Sequence, residues 1–322
     1  MLEGPMRYRV AIMFACVLAT GAPGLAQTPP SPAAIPRTVD GHPDFGGFWS
    51  SWFLTPLERG KGVKALVVSK GEAKKIAADR IEKARTADGG VGVDPDSRWS
   101  GVDNLLEING EYRTSRIIDP PDGKLPLTRE GKKLAALWDK RFETDPDGPE
   151  MRATSERCMA NAGIPPMGVM PNFNMRQFIQ LADTLVIYSE EGLDTRIIPF
   201  AARHRPPGVA GPLGDSIARW EGDAVVIETT GVVVEPDGNL IVRPESRVSE
   251  HFELLGPDVL LYRFSVDDAV MYAKPWTAEY VMRRSSLPMF EYACHEADES
   301  LRSMLTAARF AEGKKKPKAK KR

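Results

Sequence analysis

The sequence predicts a mainly β protein: an antiparallel meander closing into a barrel or a strongly curved sheet, with an α/irregular N-terminal extension and a C-terminal helix. Two observations predict it. From about Gln177 the apolar period changes from helical spacing to two, through nine short β-rich runs from "QFIQLA" to "FEYACHE". The connections between them are tight, as at Glu221-Gly222-Asp223, Gly256-Pro257-Asp258 and Asp267-Asp268. Connections so short force antiparallel neighbours, because a parallel crossover needs about a dozen residues or more. Many such strands in series remove their exposed edges by closing.

Taken in order, the chain opens with Arg7 and Arg9, then the apolar run "VAIMFACVLATGAPGLA" and Gly24-x-Ala26. A basic start, an apolar stretch too short to span a bilayer and a small-residue site are a Sec-type signal peptide over residues 1–26, cleaved near Ala26, which predicts a periplasmic or secreted protein. Acylation at Cys16 is the weaker alternative, since most of the apolar run lies after it. Residues 27–176 then form a linker and a mixed helical and irregular region that packs on the sheet. "SKGEAKKIAADRIEKARTA" opens with Ser69 as N-cap, and "TREGKKLAALWDKRFE" begins at Thr128 with Leu134, Leu137, Trp138 and Phe142 on one face. The barrel-like domain with its final helix "ESLRSMLTAARFAE" spans 177–310, and 311–322 is a basic disordered tail.

Charge excludes one class of partner. The 322 residues carry a net −1, but with the signal's +1 and the +7 of "KKKPKAKKR" set aside the span 27–313 carries −9. So acidic a body does not bind nucleic acid. The tail is a solvated extension or a weak contact with anionic lipid surfaces. Of the three cysteines, Cys16 leaves with the signal, so Cys158 and Cys294 remain and in an oxidising compartment pair most simply as a disulfide.

The stretch "GDSIARWEGDAVVIETT" contains the Gly-Asp-Ser of a serine hydrolase and the turn of a hairpin. Ser216 stands mid-chain before an antiparallel strand, and His295 has no Asp-x-x before it, so the hairpin reading is preferred. Strand parity places Arg247, Ser249, His251 and Glu253 on one face of "RVSEHFELL" and Val248, Glu250, Phe252 and Leu254 on the other. If the interior is partly polar, Arg247, His251, Arg263 and Glu279 converge there, with His251 and Glu279 as acid-base groups and the arginines on an anionic or developing charge. The alternative is that these are solvent-facing cross-strand pairs. Tyr262, Tyr280 and Trp276 are the aromatic candidates for lining a ligand site. Asp215 and Arg219, with Asp194 and Arg196, flank the loop "AARHRPPGVAGPLG", where they bind a ligand or fix the loop by charge pairing. No motif supports a metal, nucleotide or redox cofactor; His295, Glu296 and Asp298 are better read as a strand end and a helix cap.

The blocks "RTVDGHPDFGGFWSS", "ERCMANAGIPP", "GDSIARWEGDAVVIETT" and "FEYACHEADESL" together make the chain resemble a large family of uncharacterised secreted bacterial proteins over about Pro36 to Arg309. That resemblance brings no catalytic residues. "EEGLDTRIIP" and "FAARHRPPG" depart from the pattern, lacking a histidine before Asp194 and an Arg-Pro-His run. Gly47-Phe48-Trp49 ahead of a meander and a final helix is also similar to the lipocalin and calycin pattern, in which case Trp49 either starts the sheet or packs outside it. The resulting expectation is an exported protein binding an amphipathic or hydrophobic small molecule. The alternative is a periplasmic lyase, isomerase or hydrolase that uses no organic cofactor.

Overall fold

The computed structural model describes residues 34–87, 104–143, 146–154, 156–159, 163–169, 175–206, 209–233, 242–296 and 298–314. The signal peptide, Cys16 and the tail beyond residue 314 lie outside the described residues. In chain order the elements are β1 (Gly47–Ser50), β2 (Val67–Val68), α1 (Lys70–Ala87), β3 (Glu107–Ile108), β4 (Glu111–Arg113), β5 (Ile117–Asp119) and α2 (Arg129–Glu143), then β6 (Arg176–Gln180), β7 (Thr184–Ser189), β8 (Thr195–Pro199), β9 (Asp215–Glu221), β10 (Ala224–Thr230), β11 (Arg247–Gly256), β12 (Val259–Asp267), β13 (Trp276–Arg284) and α3 (Ser300–Lys314).

Nine strands follow one antiparallel path, β8-β7-β6-β1-β13-β12-β11-β10-β9. The two ends of that path meet through a single parallel bridge, Phe200 to Ala218, so the sheet is nearly a closed barrel. Gly222, at φ +62°, makes the two-residue β9–β10 turn that the sequence marks. Trp49 does start the sheet: β1 lies between β6 and β13, with Trp49 opposite Arg176 on one side and Arg284 on the other. The Arg284 guanidinium lies 4.4 Å from the centre of the Trp49 ring.

Alternation decides what fills the interior. Phe178, Phe252, Tyr262, Phe264, Trp276 and Tyr280 point inward and are buried. They meet edge to face, as Phe178 with Phe252 at 5.5 Å, Tyr262 with Tyr280 at 5.0 Å and Phe264 with Trp276 at 5.6 Å. A barrel of about this size is filled by its own side chains, and these six rings belong to its core cluster. A further aromatic stack is centred on Trp220 of β9. Trp220 lies parallel to His42 at 4.0 Å and to Phe200 at 5.6 Å.

The first half packs around this barrel. Ser69 accepts the Glu72 amide and Thr128 the Gly131 amide, so both expected helix starts are formed. α1 rests on Leu54 and Leu105 through Ala73 and Ala77, beside the small sheet β2-β4-β3. α2 crosses so close to the backbone of Met271 that a Cβ on Gly131 would overlap its carbonyl.

Two expectations need correction. Leu137 is exposed; α2 packs by Leu134 and Trp138, one turn apart, and the Phe142 side chain lies outside the described residues. "FEYACHE" is not a strand, because β13 already has β12 on one edge and β1 and β5 end to end on the other. Cys294 and His295 lie in a turn instead. The final helix runs from Ser300 to Lys314.

Candidate functional site

The alternation that fills the barrel with aromatics also carries two opposite charges inside. Arg196 on β8 faces inward with Ile198, and Glu250 on β11 faces inward with Val248 and Phe252; both are buried. Their contact is bidentate, Nη1 to Oε1 at 3.0 Å and Nη2 to Oε2 at 2.5 Å. Nη2 also donates to Ser216 Oγ of β9 and Thr229 Oγ1 of β10, each at 3.1 Å. Burial alone would weaken the Arg196 cation, but Glu250 beside it prevails and holds its pKa above the ordinary value. The network therefore reaches from β8 across β9 and β10 to β11. It bridges the seam where the backbone supplies one parallel bridge.

The same carboxylate continues to the opposite wall. Tyr262 donates to Glu250 Oε1 at 2.7 Å and accepts the Met167 amide at 2.9 Å. Tyr280 donates to the Met167 carbonyl at 3.1 Å. Desolvation, and then the Glu250 charge, push the Tyr262 phenol well above its ordinary pKa, so it stays a neutral donor.

Met167 belongs to the segment 163–169, which lies against the inner wall. The Gly163 amide donates to Asp194 Oδ2 at 2.9 Å, Arg176 Nη2 donates to the Gly168 carbonyl at 2.5 Å, and Ile164 packs with Val232, Val242 and Val248. A Cβ on Gly163 would overlap Asp194, which is why the chain can come this close. Upstream, Cys158 is bonded to Cys294, as the cysteine count predicted.

The predicted acid-base set is partly brought together, but on the other side of the wall. His251, Arg263 and Glu279 stand in one cross-strand row, with His251 opposite Arg263 and Arg263 opposite Glu279. That row is on the outer face. Val248, Glu250, Phe252 and Leu254 are the inward set of β11, so the interior pocket drawn from Arg247, His251, Arg263 and Glu279 is corrected. Arg247 is exposed. Glu279 is held by Arg263 at 2.8 Å and faces Arg113 at 3.6 Å, a pairing that leaves its carboxylate committed. The aromatic candidates Tyr262, Tyr280 and Trp276 are inside, at 0% exposure.

Around the second expected place, Asp215 is buried and clamps the loop before it. It accepts from His204 Nδ1 at 2.8 Å, from the Arg205 amide at 2.9 Å and from Arg205 Nε at 2.5 Å. Desolvation opposes the charged form, but these bonds from Arg205 and His204 outweigh it and lower its pKa. Arg219 is exposed and pairs with Glu221 and Glu228. Asp215 and Ser216, being consecutive in a strand, point to opposite faces, and Ser216 is bonded to Arg196 and Thr229. Gly-Asp-Ser is thus a strand entry, not a nucleophile.

His295, Glu296 and Asp298 make no shared site. Asp298 accepts the Ser300 amide at the start of α3, as a capping group. Among the described residues the one cluster with metal-ligand spacing is Cys158, Cys294 and Asp298, and its two sulfurs are already bonded to each other. Sequence parity had the signal for Glu250, a single charge on an otherwise apolar strand face, without assigning it a role. No known family model, curated protein or solved structure matches this chain.

Proposed function

We propose that this is an exported protein that binds an amphipathic small molecule inside a lipocalin-like barrel, and that the ligand displaces the segment around Met167. The observation that carries this reading is the way the wall holds that segment. Two tyrosine hydroxyls and one guanidinium satisfy a main-chain amide and two carbonyls, groups any amide- or hydroxyl-bearing ligand also offers. Around them the wall is aromatic, which suits an apolar body. The disulfide accords with an oxidising compartment. Among the described residues no helix is long and apolar enough to cross a membrane. Residues 1–26 supply the export signal in this reading, and the block pattern places the chain with the secreted bacterial family it resembles.

Native mass spectrometry of protein exported to the periplasm tests it directly, together with a thermal-shift panel of amphipaths. A bound molecule should be seen, and Tyr262→Phe with Tyr280→Phe should weaken its affinity by roughly tenfold per hydroxyl. A chain that emerges empty and is shifted by no member of the panel would sink the proposal.

The alternative, an enzyme without organic cofactor, has its support at His204 rather than at His251. A buried carboxylate fixes Nδ1 of a partly exposed imidazole, the arrangement that orients Nε2 for proton transfer. Under that reading His204→Ala abolishes turnover of an identified substrate while His251→Ala does not.

A further inference from the structure

The barrel makes no use of the basic run at residues 314–322, and α3 is the element that leads into it. Burial divides this helix into two sides. Leu301, Met304, Leu305 and Ala308, spaced three and four residues apart, are the side turned toward the protein, with Ala308 buried. Ser303, Thr306, Ala307 and Phe310 recur at the same spacings on the other side, and all four are exposed. That outer strip carries no charge, and its last member is an aromatic ring left 66% exposed.

The charged residues of α3 are paired beside the strip. Arg302 pairs with Glu299 at 3.5 Å, and Arg309 with Glu312 at 2.6 Å. Arg309 also donates to the carbonyls of Pro146 and Asp147, which anchors the C-terminal half of the helix to the rest of the protein. Its outer strip is thereby kept outward. One turn after Phe310 the helix reaches Lys314, where residues 314–322 bring seven cations and no acid.

An exposed ring on an uncharged helix face, followed at once by a dense run of cations, joins the two forces that hold a helix on a bilayer surface. The apolar side chain enters the boundary between headgroups and acyl chains, and the lysines meet the lipid phosphates. We propose that α3 and residues 314–322 dock this protein on a bilayer rich in anionic phospholipid, with Phe310 as the inserted side chain. Nucleic acid also offers phosphates, but it has no apolar layer for the ring, and it would bring a polyanion against the −9 carried by residues 27–313. The proposal uses no residue of the barrel interior, so it stands apart from the ligand reading.

Vesicle co-sedimentation of the full chain tests it, with vesicles of neutral phosphatidylcholine and vesicles in which about a third of the lipid is anionic phosphatidylglycerol. The readout is the excess affinity for the anionic vesicles, and every variant shares residues 1–26. In the wild type that excess should be roughly a hundredfold or more at low salt, and it should collapse in about 0.5 M sodium chloride. Lys315→Gln together with Lys316→Gln should cut it by about twentyfold, from about fivefold per cation. Phe310→Ser should weaken binding to the anionic vesicles about fivefold, with the circular dichroism unchanged because the ring is exposed. Lys133→Gln, on an exposed cation of α2 paired with Glu130, should bind as the wild type does. Equal affinity for the two kinds of vesicle would overturn the proposal, as would wild-type binding by the double lysine variant or by Phe310→Ser. So would tighter binding to duplex DNA than to the anionic vesicles at the same salt, which would assign the cations to nucleic acid.

Discussion

A single carboxylate shows how strongly one residue can be held in this chain. Asp268 lies just beyond β12 and is almost fully buried. Burial opposes its charge, but hydrogen bonds from Arg243 and Ser246, and from the amides of Met271 and Val270, overcome that and hold its pKa to about 2. The folded pKa is thus below the ordinary carboxylate value of 3.8. Its stabilisation is therefore present above about pH 4 and is lost as pH falls through 2. The shift corresponds to about 2 kcal/mol. Asp268→Asn should lower the urea-unfolding free energy by roughly that amount or more at neutral pH, and the gap to wild type should close between about pH 4 and pH 2. A gap that stays constant over that range would show that shape, not charge, is what Asp268 contributes. In the sequence Asp267-Asp268 reads only as a turn; the partners that make the second aspartate special, Arg243 and Ser246, lie more than twenty residues away and no local pattern announces them.

At the scale of elements, most of what is local was legible and most of what is long-range was not. Ser69 and Thr128 mark their helices because a cap is a contact between near neighbours in sequence. The strand runs from Gln177 to Arg284 were legible because the period-two pattern is written in each strand. Which face is inside was harder: a row with His251 and Arg263 looks like a polar pocket until the inner face is seen to be filled by Phe252, Tyr262 and Tyr280. The segment at Met167 left no signal, since its hydrogen bonds to the barrel run through backbone atoms. Its tether was legible from cysteine counting alone. The Cys158–Cys294 link closes a separation of 136 residues, which the chain-entropy model puts at about 5 kcal/mol as a ceiling. Replacing both by serine should lower Tm by roughly 5–15 °C in calorimetry. A fall of about one degree or less would mean that the noncovalent hold of Tyr262, Tyr280 and Arg176 suffices to fix the segment.

For the whole molecule, the unusual feature is a barrel closed more by side chains than by backbone. β12 has an antiparallel partner along each edge, with β11 from Arg247 to Gly256 and with β13 from Trp276 to Arg283. β8 and β9 meet instead through the one bridge at Phe200 and Ala218. What spans that seam is Arg196, bonded to Ser216 and Thr229 and paired with Glu250 beyond them. Removing one partner of a buried pair leaves the other uncompensated, at a cost of about 3–5 kcal/mol. Local opening follows the weakest ladder, so native-state amide exchange should rank the elements. Peptides covering Thr195–Pro199 should exchange before those covering Val259–Asp267, because β8 has a full ladder on only its β7 side. Arg196→Met should then speed exchange in β8 and β9 well beyond its effect on β12, which needs global unfolding to open. If Arg196→Met instead speeds all strands equally, the seam opens only with the whole barrel. If β8 and β9 are as protected as β12 in the wild type, their closure rests on backbone contacts and the arginine's part in it falls away.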